Sequence, residues 1–451
     1  MRAALPTAPL IASLVNAALA ALVLAAFPLA GLSTATAGDW PQWRGPNRDG
    51  ISTESLRTDW KQNPPKLLGM ISGMGEGYAS LAIVDGDAYT TGNFEDGQKV
   101  IGIALGIGGG IGEVMLEIPL TDAAPKHGYE GSRSTPTVDG DRLYVTASDG
   151  QIVCCNRIPK ADRIGGPDIL WRRRFDDFGG KMMSGWGFSE SPLVDGDHVL
   201  CTPGGPDALV VCLDKMTGEE VWRSAPKFTG DQGRDGAGYS SLVVSNAAGI
   251  RQYVGIGGRG AFGIRAGDGQ PLWTYNRVAN PTANIPTPVV WDEEDSVFVS
   301  TGYGDGGAAL LKITRDGEGA TATEQYWKSN GEFQNHHGGM IRVGKHLYAG
   351  NKHNKGFPVC IDLPTGEFAW GGKIRGAGQG SAAVTLVGDQ LIFRYQDGIL
   401  AFIEATPERY NLLYRMTPKF QQGKSWSHPV VWNNTLYLRE QDKLMAYGLG
   451  E

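Results

Sequence analysis

Short apolar-polar alternations, each four to six residues long and separated by Gly-rich turns, fill most of this chain. One unit is clear at 187–222. It begins Gly187-Phe188-Ser189-Glu190-Ser191-Pro192-Leu193-Val194-Asp195-Gly196-Asp197 and continues as a strand to Cys201. Ala208-Leu209-Val210-Val211-Cys212-Leu213-Asp214 follows, then Thr217-Gly218, and the unit closes at Trp222. This pattern predicts four short strands. Asp-Gly suits a tight hairpin turn because Gly reaches positive φ without a steric penalty. The 3.6-residue period of a helical repeat is absent, so helical solenoids are excluded.

The skeleton recurs along the chain. A first copy starts near Gly77 and passes Asp85-Gly86-Asp87, and a second runs from Gly131 through Asp139-Gly140 to Trp171. A fourth runs from Tyr239 through Asp268-Gly269 to Trp273, a fifth from Asn284 to Trp327, and a sixth from His336 through Thr365-Gly366 to Trp370. A seventh starts near Gln379 and an eighth near Trp426. The closing tryptophans at 171, 222, 273, 327 and 370 are 51, 51, 54 and 43 residues apart. Such spacing is close to, or somewhat above, the blade period of four-stranded propellers. The expected fold is all-β, an eight-bladed β-propeller of four-stranded blades. Seven blades is the alternative, if the first or seventh copy is an insertion. The eighth copy lacks a fourth strand. The free strand at 65–71 is expected to complete it and close the ring at residues 65–451, removing two open sheet edges.

Composition agrees. There are 66 Gly and 25 Pro, but also 12 Trp, 15 Tyr and 14 Phe, so disorder is excluded. The N-terminus differs from the rest. Arg2 is its only charge before Asp39, an apolar stretch runs from about Leu10 to Leu32, and Ala35-Thr36-Ala37 follows. Residues 1–37 are therefore expected to be a cleavable signal peptide for a periplasmic or secreted protein. An uncleaved anchor is the alternative, since the stretch is long enough to span a bilayer. Residues 38–64 are expected to pack on the ring, clamped by Trp40 and Trp43. No transmembrane segment is expected in the mature chain. The net charge of −7, without a basic face, gives no reason to expect nucleic acid. A closed ring has no need to oligomerise, so a monomer is expected.

Asp214-Lys215-Met216-Thr217-Gly218-Glu219-Glu220-Val221-Trp222 and Asp362-Leu363-Pro364-Thr365-Gly366-Glu367-Phe368-Ala369-Trp370 resemble the tryptophan-docking motif of the pyrroloquinoline-quinone (PQQ)-type propeller repeat. Ala266-Gly267-Asp268-Gly269-Gln270-Pro271-Leu272-Trp273 is a looser copy. The opening Trp40-Pro41-Gln42-Trp43-Arg44-Gly45-Pro46-Asn47-Arg48-Asp49-Gly50 resembles that of secreted bacterial PQQ-like repeat proteins. The resemblance covers about 40–450. It implies a fold in which the tryptophan packs on the neighbouring blade. It implies no single activity, because the repeat occurs both in quinoprotein alcohol dehydrogenases and in the assembly-factor lipoprotein of the outer-membrane β-barrel machinery.

Aligning the copies on the Asp-Gly turn places one short segment of each innermost strand at the channel mouth. These segments supply Arg133 and Ser134, Glu190, Tyr239, Asn284, Asn335-His336-His337, Gln379, and Trp426 with His428. Small polar residues suit the wall of a wet channel. Variety of residue type at one register points instead to a ligand pocket. His336 and His337 are adjacent, so a regular strand would turn only one of them into the channel, unless a bulge at Gly338-Gly339 re-aims them. Glu190, His337 and His428 are the weak candidates for a metal. The resemblance makes PQQ and calcium the cofactors to consider. Glu190 is the only carboxylate in these segments, whereas calcium usually takes several. Cys154 shares a position with Cys212 and Cys360, so it reads as a buried core site rather than half of a vicinal disulfide with Cys155. Gly106–Gly112 lacks the spacing of a dinucleotide fingerprint and reads as a turn between outer strands. The expected function is a binding or scaffold propeller for a protein, polymer or small molecule. A PQQ- and calcium-dependent alcohol dehydrogenase is the alternative.

Overall fold

The computed structural model describes residues 38–158, 168–372 and 374–450. The expected signal peptide at 1–37 lies outside the described residues. Eight antiparallel sheets succeed one another in a ring. The first and seventh repeats each form a complete sheet, so the propeller has eight blades rather than seven. In the first three blades an Asp-Gly turn joins the innermost strand to the second, whereas Asp268-Gly269 joins the third strand of the fourth blade to its fourth. In the third blade, Leu193–Asp195 turns through Gly196 at φ +60° into His198–Cys201.

The eighth blade is built from both ends of the repeat region. Val430–Trp432, Thr435–Glu440 and Lys443–Gly448 supply three strands. Lys66–Ser72 supplies the fourth and pairs antiparallel with Lys443–Gly448.

Neighbouring blades meet through aromatic rings laid over turns. The Trp171 indole covers Gly218 of the next blade so closely that a Cβ there would lie 2.7 Å from the ring. Trp222 covers Gly269 in the same way. One position departs from the sequence reading. In the fifth blade Tyr326, not Trp327, covers Gly366 of the sixth. A β-bulge explains the change. In the third blade the register shift sets Trp222 opposite Cys212, and the equivalent shift in the fifth sets Tyr326 opposite Leu310. Trp327 is thereby turned to the fourth-blade side, where Arg277 lies over its ring at 4.5 Å. All five cysteines are free and buried, and Cys154, Cys212 and Cys360 each pair across the sheet with a closing tryptophan.

The N-terminal segment has a larger role than a clamp. Trp40 exchanges two backbone hydrogen bonds with Ile83 of the first blade, and Pro41 O accepts one from Val138 of the second. Arg48 donates to Ser191 O and Pro192 O of the third at 2.7 and 2.9 Å. Trp43 donates to Thr287 of the fifth, and Arg44 to Met340 O of the sixth at 2.6 Å. Ile51–Ser52 adds a short parallel strand to the seventh, and Glu54 accepts from Asn433 and Asn434 of the eighth. A run of fifteen residues (40–54) that reaches inner segments all round the ring must lie across the channel. Arg44 and Arg48 are buried within it, and burial pushes their guanidinium pKa values down to about 10 and about 9.

Candidate functional site

The segment across the channel turns a through-passage into a pocket with a floor. Above it is a cavity of about 360 Å³, with Trp43 among its lining residues. A second cavity of about 220 Å³, lined by Arg44, Asn47 and Arg48 with Val243, Val289 and Met340, lies further along the inner strands. The first is within the usual size for a small-molecule site.

Six of the sequence-predicted residues meet there: Arg133, Tyr239, His336, His337, Trp426 and His428. Arg133 is spent on the rim. It donates to Trp186 O at 2.6 Å, to Gly128 O at 3.0 Å and to Tyr129 O, and lies 5.6 Å over the Tyr78 ring. Burial pushes its pKa down to about 10. Tyr239 hydrogen-bonds Ser184 at 2.7 Å. Trp426 donates to Gln396 at 2.8 Å and packs against Tyr78, Tyr129 and His337, with ring centroids 4.8, 5.1 and 4.7 Å away.

Both imidazoles of the His336-His337 pair face the cavity, against the expectation for a regular strand. No strand is present there. The inner strand begins only at Ile341, and Gly338 and Gly339 both take positive φ. That bend stacks the two rings at 3.8 Å. His336 bonds Ser381 Oγ at 2.5 Å through Nδ1 and the Tyr303 hydroxyl at 3.0 Å through Nε2. His353 lies 4.0 Å from His336. Burial pushes the pKa of His337 down to about 3 and holds His336 and His428 far below the usual imidazole range, so all three are neutral near pH 7.

The other predicted residues lie elsewhere. Ser134, Glu190 and Asn335 do not line the cavity; each ties its segment to the second strand of its own blade. Ser134 Oγ accepts from Thr146 N, the Glu190 carboxylate accepts from Thr202 N and Oγ1, and Asn335 donates to Gly350 O. Burial raises the Glu190 pKa to about 7, opposed by the Thr202 bonds and by Arg48. Asn284 donates to Gly257 O and Gly258 O, and Gln379 is exposed on the surface. Alternation explains much of this. Ser189 and Ser191 line the cavity, so Glu190 between them points the other way. Glu190 therefore forms no metal site with His337 and His428. Among the described residues no group of three or more His, Cys, Asp and Glu side chains is placed to hold a metal ion.

The next register position shows the sharpest irregularity. In successive blades its hydroxyl accepts a backbone N–H from the blade before. Thr135 accepts from Ser80 N at 3.0 Å, Ser191 from Thr135 N at 3.0 Å, and Ser241 from Ser191 N at 2.9 Å. His428 holds this position in the eighth blade. It is only 6% exposed, and neither ring nitrogen has a hydrogen-bond partner. Both nitrogens are sealed from the cavity, and the His337 backbone is the polar group beside them. The ring meets Trp43 edge-on at 4.5 Å.

Sequence reasoning gave Trp43 as a clamp on the ring, and it missed Tyr78, Tyr129, Trp186, Tyr303, His353 and Gln396. A usable signal existed for three of them. Tyr303, His353 and Gln396 each follow the second strand of a blade within two residues, at the same end as the inner segments. The donor set does not fit the calcium that accompanies the quinone in the dehydrogenases, because no Asp or Glu lines the cavity.

A family model described as outer membrane protein assembly factor BamB matches residues 120–372. No curated protein sequence matches the chain significantly. Among solved structures, the chain is similar to BamB from Moraxella catarrhalis, at 14% identity and TM-score 0.56 over 85% of this chain and 97% of that one. A europium-containing methanol dehydrogenase matches at 12% identity and TM-score 0.62 over 89% of each chain. Quinohemoprotein alcohol dehydrogenase from Comamonas testosteroni matches at 11% identity and TM-score 0.61, over 93% of this chain and 82% of that one. At these identities the likeness is one of fold alone, and it spans a chain named BamB and chains named as alcohol dehydrogenases. With a family match over more than half of its length and eight PQQ-type blades in its ring, the chain belongs to the PQQ-like β-propeller repeat family described as outer membrane protein assembly factor BamB.

Proposed function

We propose that this protein is an exported binding propeller whose channel-mouth cavity takes a small-molecule ligand without a divalent cation. The observation that carries this reading is the cavity of about 360 Å³ itself, walled by Trp43, Tyr78, Trp186, Tyr303 and Trp426 with a few polar side chains among them. Export rests on the signal-like pattern at 1–37, residues 38–64 packing on the ring as part of the mature protein. No helix among the described residues is long and apolar enough to cross a membrane. The family description, an assembly factor, adds a scaffold role for the outer surface of the ring, which works as a monomer.

A quinone-dependent alcohol dehydrogenase is disfavoured by the lining. It has no carboxylate to coordinate a cation and none to take the alcohol proton. The test has two parts. Addition of PQQ and calcium, followed by a primary alcohol and an artificial electron acceptor, is expected to give no turnover. A thermal-shift screen of small molecules is expected to find a stabilising compound whose effect is lost in Trp426→Ala. Binding at about 100 times Kd stabilises a fold by about 2.7 kcal/mol, well above the scatter of such a screen. Calcium-dependent turnover, or stabilisation retained in the variant, overturns the reading.

A further inference from the structure

We propose that the smaller cavity, of about 220 Å³, is a second ligand site and holds a short-chain monocarboxylate. It lies between the N-terminal segment and the inner strands of the fourth, fifth and sixth blades. No residue lines both this cavity and the one at the channel mouth, so the proposal stands apart from the reading of that site.

Two buried charges without an ion-pair partner carry the argument. Arg44 and Arg48 are 2% and 3% exposed. Both remain charged near pH 7, although burial lowers their pKa values. Among the described residues neither forms an ion pair, and Asp49 and Glu190 act on them only at longer range. Buried charges are ordinarily paired. The terminal nitrogens of Arg48 are taken up by Gln42, Ser191 O and Pro192 O. Arg44 is different. Its Nη2 donates to Asp49 O and Met340 O, but its Nη1 makes no bond and is not a sealed atom. Arg44 lines the smaller cavity and not the larger, so this open donor faces the smaller one. The chain delivers both guanidiniums through left-handed backbone, at φ +60° for Arg44 and +58° for Arg48, a region that residues with a Cβ rarely adopt.

Charge and donor count select the ligand class. A guanidinium only donates, so the occupant must accept. Arg342 also lines the cavity but is spent on Glu293, Val290 O and Gly344 O. Asp49 lines it too, with Oδ1 accepting from Ile51 N at 3.0 Å, and offsets one of the two remaining positive charges. One net positive charge with one open donor suits a monoanion. A phosphate dianion needs several donors. The rest of the wall is apolar and includes Val243, Pro288, Val289 and Met340. An alkyl tail gains by covering these side chains, whereas an inorganic anion does not. The volume is below the roughly 300 Å³ at which pockets for larger ligands begin, so the tail is short.

The experiment titrates the full mature chain with propionate, butyrate and valerate, and with chloride, sulfate and phosphate at equal ionic strength. Calorimetry reads the affinity, and NMR of carbon-13 methyl methionine reads the place, with Met340→Leu assigning the Met340 signal. At least one carboxylate is expected to bind one to one and to move that signal. Arg44→Gln is expected to weaken the binding by about tenfold or more, as loss of a charged hydrogen bond does. Arg44 also fastens the N-terminal segment to the sixth blade, so a second variant leaves that clamp whole. Asp49→Asn keeps an acceptor for Ile51 N and removes the opposing charge. It is expected to tighten binding by about threefold or more with an unchanged melting temperature. Trp426→Ala is expected to leave carboxylate binding as it is. Loss of binding in Trp426→Ala would place the ligand at the channel mouth and overturn the second site. Carboxylate binding that Arg44→Gln or Asp49→Asn leaves unchanged also overturns it. Sulfate or phosphate binding without any carboxylate response overturns the carboxylate assignment. No heat and an unmoved Met340 signal with all three carboxylates overturns the proposal outright.

Discussion

Replacing Arg394 by methionine is expected to destabilise the fold by about 3–5 kcal/mol, the usual effect of stranding one member of a buried ion pair. Arg394 and Glu440 are each 1% exposed and meet at 2.6 Å between the seventh and eighth blades. The guanidinium also donates to Ser427 O at 2.9 Å, and the second carboxylate oxygen accepts from Gln422 N at 3.0 Å. Burial lowers the Arg394 pKa, so the guanidinium depends on Glu440 to stay comfortable in its charged form. With Arg394 gone, the carboxylate keeps its desolvation cost and loses its counterion. The double variant Arg394→Met with Glu440→Leu is expected to recover most of the loss, because an apolar pair of similar volume replaces a buried ion pair at little net cost. Chemical denaturation of the four proteins in the cycle measures the coupling. A single-variant loss below about 1 kcal/mol, against the range for buried pairs, would contradict the geometry.

Deleting Lys66–Ser72 is the second large perturbation. Six residue pairs join this strand to Lys443–Gly448. At about 1 kcal/mol for each net hydrogen bond, the loss is on the order of 5 kcal/mol. Much of this strand's own surface is exposed, including Leu67, Leu68 and Met70, so the ladder matters more than apolar burial. The deletion also bares the edge of Lys443–Gly448, an open template for pairing with another chain. The expected result is a markedly lower melting temperature together with light scattering from aggregates. A variant that stays monomeric with an unchanged melting temperature would show that the ring does not depend on this closure.

The blades were legible because their signals are local. An Asp-Gly step, a Thr-Gly step and a closing aromatic each state a backbone requirement within a few residues. Trp327 was misassigned because a β-bulge moved the closing position to Tyr326, and a bulge leaves no signature in apolar alternation. The site was half legible. Register placed His428 correctly beside the hydroxyls of Ser191 and Ser241, but it swept in Glu190, which alternation sends to Thr202. Sequence adjacency sets His336 and His337 on opposite faces of a regular strand, and the exception it allows, a bend at Gly338-Gly339, is the one present, where two successive positive-φ glycines bring the rings together. The floor of the cavity could not be read at all. Residues 40–54 have no repeat partner, and their route is fixed by contacts with blades up to 380 positions away.

The direct test of the ligand site uses 5-fluorotryptophan and fluorine NMR. The chain has 12 tryptophans, which single Trp→Phe variants assign. On addition of the compound found by thermal shift, the signals of Trp43, Trp186 and Trp426, which line the cavity, are expected to move. Those of Trp171, Trp222 and Trp273, which lie between blades, are expected to stay. Shifts confined to the interblade tryptophans, with Trp43, Trp186 and Trp426 unmoved, would contradict a ligand site at the channel mouth.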